Sequence, residues 1–263
     1  MIFFSHRPKL AVMPKGVMRS AITAAVKTVA LGTIGVSLIV AGAMGTMVNP
    51  AIALTTEQVS EKLARVPVYV ISSSQGLVLI SAESEGQQSK PSLFVFMTAQ
   101  DANTFLTRAN EKNPQFAPDA QVTLTSLENL YKETQAGGDQ QLQLTYFPEA
   151  AEVTQASELN AEYRGGVPLF YAQFEDGSLV PVPQGDNGVI YPLFFSSADL
   201  EAQLDNLAKA NPEARAAISI GVLPLEAMLR EMQSKDDDTL QRIQLLPDSE
   251  TINQIRQSNP QGQ

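Results

Sequence analysis

Few residues in this chain could do chemistry, and the missing types narrow the field further. Asp236-Asp237-Asp238 is the only dense run of carboxylates, and a hard cation such as calcium takes oxygen ligands of that kind. The run lacks the alternating ligand spacing and the distal glutamate of an EF-hand loop, so a solvated turn is the plainer reading. Glu83 and Glu85 would be a carboxylate pair for general acid–base work, but both sit in a polar stretch, Glu83 to Lys90, with no apolar wall to raise a pKa. Gly165-Gly166 suggests a phosphate loop, yet neither G-x-x-x-x-G-K nor G-x-G-x-x-G follows, which leaves a turn leading into a strand. Tyr69, Phe96, Phe170 and Phe194 recur within apolar strands. Such residues are core by default, and the alternative is that they line an apolar groove for polypeptide clients.

The single histidine is His6, and cysteine and tryptophan are absent. Residues 1–53 hold five basic residues (Arg7, Lys9, Lys15, Arg19, Lys27), no acidic one, and an uncharged run from Thr28 to Ala53 that ends in Ala51-Ile52-Ala53. A basic end, an apolar run and a small-residue site are the order of a cleavable export signal, with cleavage expected after Ala53. The rival reading is a retained membrane anchor, which the run nearly has the length to be, but its glycines and the Asn49-Pro50 break oppose it. His6 leaves with this leader, so the mature chain has no imidazole and no thiol. Ser-His-Asp and Cys-His catalysis, histidine-ligated zinc, haem and iron–sulfur clusters are thereby excluded, and no cofactor, metal or catalytic residue is expected. Losing five of 18 basic residues leaves 13 against 28 acidic ones, a net charge of -15. That charge disfavours nucleic acid and anionic lipid as partners. No disulfide can form, so packing must supply the stability.

The elements that must position these residues come twice. Val66-Pro67-Val68-Tyr69-Val70-Ile71 returns as Val167-Pro168-Leu169-Phe170-Tyr171-Ala172 at an offset of 101. Gln75-Gly76 falls opposite Asp176-Gly177, both reading as hairpin turns. At an offset of 98, Phe96 meets Phe194, Asp101 meets Asp199, Asn113-Pro114 meets Asn211-Pro212 and Leu127-Glu128 meets Leu225-Glu226; at 99, Phe147-Pro148 meets Leu246-Pro247. Solenoid repeats run at roughly 20 to 50 residues, so a period near 100 predicts two fused copies of one small domain. Strands are expected at 66–72, 77–81, 91–97, 120–124 and 142–147, with counterparts at 217–222 and 242–246 in the second copy. Thr98 and Ser196 each precede a carboxylate by three residues, the pattern of a helix start whose acid reaches back. Ala102, Phe105, Leu106 and Ala109 in one copy, and Leu200, Leu204, Leu207 and Ala208 in the other, keep the spacing of one buried helical stripe. The second helices carry Leu127, Leu130, Tyr131 and Leu225, Met228, Leu229. Residues 55–65 and 153–162 read as further helices. The fold class is α+β: two pseudo-symmetric tandem copies, each with an antiparallel or mixed sheet flanked by helices. Residues 54–160 form the first copy, 161–257 the second and 258–263 a disordered tail. Whether the copies share one sheet is open.

Val66-Pro67-Val68-Tyr69, Asn113-Pro114, Ser126-Leu127 with Tyr131, Phe147-Pro148, Gly166-Val167-Pro168-Leu169-Phe170, Pro192-Leu193-Phe194-Phe195 with Asp199-Leu200, and Asn211-Pro212 together resemble the twenty-two-kilodalton subunit family of the Tic translocon. The resemblance runs from about Leu54 to Ile255. It implies a soluble, non-enzymatic factor for polypeptides crossing the space between two membranes, in the chloroplast intermembrane space, the apicoplast or the cyanobacterial periplasm. It also implies partnership with unfolded precursors and with the periplasmic domains of the outer-membrane β-barrel assembly protein. An export signal in place of a transit peptide sets this chain with the bacterial branch, in the periplasm or the thylakoid lumen. Three functions follow as expectations: a periplasmic chaperone-like factor for outer-membrane biogenesis, a non-catalytic scaffold linking folded envelope proteins, and a carboxylate-run envelope hydrolase.

Overall fold

The computed structural model describes residues 9–12, 53–81, 83–84, 87–88, 91–113, 119–136, 142–185, 188–235 and 237–258. The expected leader therefore lies outside the described residues except for one strand and Ala53, and so does the tail beyond Ser258. In order, the chain forms β1 (Lys9–Val12), α1 (Thr56–Leu63), β2 (Pro67–Ser73), β3 (Gly76–Ser81), β4 (Glu83–Ser84), β5 (Gln87–Gln88), β6 (Ser92–Phe96), α2 (Ala99–Lys112), β7 (Gln121–Ser126), α3 (Leu127–Ala136), β8 (Gln143–Phe147) and α4 (Ala150–Leu159). It continues through β9 (Pro168–Gln173), β10 (Val182–Pro183), β11 (Val189–Phe194), α5 (Ser197–Ala210), α6 (Pro212–Ala216), β12 (Ser219–Pro224), α7 (Leu225–Ser234), α8 (Asp238–Arg242), β13 (Ile243–Leu246) and α9 (Ser249–Ser258). Among the described residues no helix is long and apolar enough to cross a membrane.

The strands fall into two separate mixed sheets flanked by helices, six-stranded before α4 and five-stranded after it, with β4 and β5 pairing apart. In the first, β2 runs antiparallel to β7 from Pro67↔Ser126 to Ser72↔Gln121, while β6 and β8 are parallel. In the second, β9 runs antiparallel to β12 from Pro168↔Pro224 to Gln173↔Ser219, while β11 and β13 are parallel. Matching backbone bonds tie each set together. Leu127 N donates to Val66 O at 2.8 Å and Leu225 N to Val167 O at 2.7 Å; Met97 N donates to Phe147 O at 3.2 Å and Phe195 N to Leu246 O at 3.0 Å.

Strand side chains alternate between two cores, because successive residues point to opposite faces. Val68 and Val70 of β2, Leu93 and Val95 of β6, Leu169 of β9 and Leu193 of β11 enter one shared core with α1, α3 and α7. Tyr69, Ile71, Val78, Ile80 and Phe96 point the other way, into a core closed by Ala102, Phe105, Leu106 and Ala109 of α2. Phe170, Phe194 and Val222 do the same beneath Leu200, Leu204 and Leu207 of α5. A strand apolar on both faces is one covered on both, and each fully buried Leu or Phe contributes about 1.5–3 kcal/mol. The shared core draws on both sheets, so the two parts stand or fall together.

Several local expectations differ from what forms. Gly76, at φ 130°, opens β3 while Ser74 and Gln75 make the turn; in the second part the turn spans Glu175 to Gly177, with Gly177 at φ 81°. The polar stretch from Glu83 contains the small β4–β5 hairpin, paired Glu83↔Gln88 and Ser84↔Gln87. Asn211 ends α5, as the residue before proline should, but its side chain also accepts from Ala214 N at 3.0 Å and starts α6. Proline at the first helical position loses no hydrogen bond, so one Asn-Pro both stops and starts a helix.

Candidate functional site

The two Val-Pro strand starts meet at the middle of the molecule. Val66, Pro67, Met97, Val167, Pro168, Phe195 and Pro247 wall a cleft with Glu149, Glu152 and Asp248 at its rim. Burial raises the Glu149 carboxyl pKa above its ordinary value, and the nearby charges of Glu152, Asp248, Asp101 and Glu250 raise it further. A perturbed carboxyl beside a second one is how an acid–base pair would look. The cleft, however, holds about 30 Å³, room for a water molecule or two and far below the roughly 300 Å³ at which ligand pockets begin. Two of its acids are also engaged: Glu152 Oε2 accepts from Ser197 N at 3.0 Å and Asp248 Oδ2 from Thr251 N at 2.7 Å. The seam is a joint between the two parts.

A second hollow of about 410 Å³ lies under the glycine turn, lined by Asn160, Tyr163, Arg164, Gly166, Glu226 and Arg230 among others. Its polar groups hold the turn itself. Tyr163 Oη donates to Gly166 O at 2.6 Å, and Val167 N donates to Glu226 Oε2 at 3.1 Å. Burial and then the Glu226 charge hold the Tyr146 and Tyr163 hydroxyls above the ordinary phenol value. Gly165 and Gly166 both take positive φ, 106° and 95°, which is why glycine stands there. The carboxylate partner in α7 was invisible to motif reading, although the Leu225-Glu226 identity with Leu127-Glu128 marked the position.

The remaining candidates are dispersed. Asp237 Oδ1 accepts from Leu240 N at 2.7 Å and caps α8, while Asp236 lies outside the described residues. Among the described residues no group of three or more His, Cys, Asp or Glu could hold a metal ion. Glu83 sits in β4, and Glu85 falls outside the described residues. Tyr69 and Phe96 pair across β2 and β6, and Phe170 pairs with Phe194 across β9 and β11. All four are buried, between 0% and 8% exposed, so in this conformation they pack beneath α2 and α5 and line no open groove. The larger apolar side chains that are exposed, Leu124, Leu159, Phe174 and Val182, are spread over β7, α4, the β9–β10 loop and β10.

Helix-flanked mixed sheets on a shared core, with Glu226 and Tyr163 spent on the glycine turn and Asp237 on a helix cap, define a mixed alpha-and-beta protein built from packing contacts. The model of the Tic22-like family matches residues 17–258, and the chain belongs to that family. It is 28% identical over 193 residues to the chloroplast protein TIC 22 of Pisum sativum, covering 72% of each chain. Its fold matches the solved Tic22 of Anabaena, described as a protein-transport protein, with a TM-score of 0.65, 26% identity, and coverage of 78% of this chain and 97% of that one. It also matches the fold of Tic22 from Plasmodium falciparum, with a TM-score of 0.58, 17% identity, and coverage of 78% and 99%.

Proposed function

We propose that the chain is a non-enzymatic protein-transport factor of the periplasm, holding precursor polypeptides for outer-membrane biogenesis and docking on the periplasmic domains of the β-barrel assembly protein. The likeness to Anabaena Tic22 carries this reading. The basic-then-apolar leader supports export, with the thylakoid lumen as the other destination of the same signal. The paired ladders β2–β7 and β9–β12, the parallel pairs β6–β8 and β11–β13, and the matching ties at Val66 and Val167 support a pseudo-symmetric duplication of one small unit. The burial of Tyr69, Phe96, Phe170 and Phe194 favours a second reading on one point: a closed surface suits a scaffold between folded partners.

The test uses the chain from Leu54 onward, which keeps every residue named in the three cores. It is presented separately with an unfolded outer-membrane barrel protein and with the folded assembly domains. Suppression of barrel aggregation at stoichiometric amounts is the expected result. Binding to the folded domains alone would establish the scaffold, and binding to neither would remove both readings.

A further inference from the structure

One backbone edge stands apart from its counterpart in the second part. β3 pairs with β6 through Leu79↔Leu93 and Ile80↔Ser92 on one side. On its other side the chain's own β1 pairs antiparallel with it, Lys9↔Ser81, Leu10↔Ile80, Ala11↔Leu79 and Val12↔Val78. β1 belongs to the leader, whose expected removal after Ala53 would leave that row of amides and carbonyls without a partner strand. Folded proteins blunt such rows with proline, charge or very short strands. β3 reads Gly-Leu-Val-Leu-Ile-Ser and carries none of these devices. By strand pairing, Val182↔Ile190 answers Ile80↔Ser92, so Pro181 and Pro183 stand at the places of Leu79 and Ser81. There β10 is two residues long, pairs among the described residues with β11 alone, and Pro183 within it and Pro181 just before it have no amide to donate. One copy is blunted and the other left open.

We propose that the outer edge of β3, from Val78 to Ser81, is a strand-addition site that takes an extended segment of an unfolded polypeptide antiparallel to it. The leader strand β1 occupies this site until it is removed. Recognition through main-chain bonds suits clients of differing sequence, because every residue but proline offers the same donor and acceptor. This deepens the proposed handling of unfolded chains and rests on it.

The probe is a labelled synthetic peptide of residues 6–15, tested on the chain beginning at Leu54. Two analogues carry backbone N-methyl groups, one at Lys9 and Ala11, the other at Leu10 and Val12. In an antiparallel ladder alternate amides face the partner strand, so one analogue should bind like the parent and the other weaken by roughly tenfold or more. Equal binding by both analogues, or no binding by the parent, would overturn the site. The protein is unaltered in that comparison, so misfolding cannot mimic the result. An unfolded barrel protein should displace the peptide, and Ser81→Pro, which copies Pro183 of the second part, should weaken both ligands together. Failure of the barrel protein to displace the peptide would overturn the client assignment. If the barrel protein binds but the peptide does not, the edge is wrong and the transport reading stands; if neither binds, both fall.

Discussion

Glu226 shows how much one side chain can decide at the residue scale. Its carboxylate receives the Val167 amide beneath Gly166, and a Cβ added at Gly166 would stand 2.6 Å from Oε2, on a backbone already at φ 95°. Gly166→Ala should therefore lower stability by about 1–3 kcal/mol, the cost of a non-glycine residue held in such a region, read as a shift of the urea midpoint at constant slope. Glu128, at the equivalent place in the first part, pairs with Lys132 instead. The identity was legible in the sequence; the divided role was not, because Arg65 stands in the first part where the second has Gly166. At the central seam, Glu149 has a folded-state pKa raised above its unfolded value. The folded state then holds more proton in the range just above the ordinary glutamate value, so stability falls as pH rises through that range. Glu149→Gln should be more stable than the parent at neutral pH, with the gap closing as pH drops toward the ordinary glutamate value. Denaturation midpoints across pH test this, and a pH-independent gap would contradict it.

Among the elements, helix starts and apolar strand runs were the most legible. Thr98 and Ser196 both cap as their spacing predicts, and Thr55 caps α1 in the same way, because an N-cap is a purely local bond. What the accompanying acid does is not local. Asp101 accepts from its own cap hydroxyl at 2.9 Å, whereas Asp199 reaches across to Ser249, accepting from its N at 2.8 Å and its Oγ at 2.6 Å, and so ties α9 to α5. Thr98→Ala should cost about 1 kcal/mol, and Ser196→Ala less, since its cap bond is longer at 3.4 Å against 3.1 Å. Asp199→Ala should speed amide exchange in α9 while leaving α2 unchanged, as local opening would. Apolar residues on both faces of β2 and β3 read as strands covered twice. That pattern could not declare which face met the other part, and for that reason a groove stood as the alternative to the core for the four aromatics. Parallel pairing of β6 with β8 and of β11 with β13 was equally hidden, since strand sequence carries little trace of its neighbour's direction.

For the molecule as a whole, the shared core decides how it unfolds. Val68 and Leu127 from the first part meet Leu169 and Leu225 from the second in one cluster, and Gln233 Nε2 donates to Tyr131 Oη at 3.2 Å across the same join. A single transition is expected, with calorimetric and van't Hoff enthalpies equal, and residues 53–160 or 161–258 made alone should not fold; two resolved transitions would refute this. The first helix takes its seat among the last elements: Leu54 N donates to Met232 O at 3.0 Å, and Lys62 Nζ donates to Gln241 O at 2.7 Å and Ile243 O at 3.0 Å. Contacts that span most of the chain are closed late, because the loop between them must be paid for in entropy first. A chain threaded head first through a narrow channel carries its opening helix across without a place to put it. The knot of contacts draws tight only when the tail has cleared the far side.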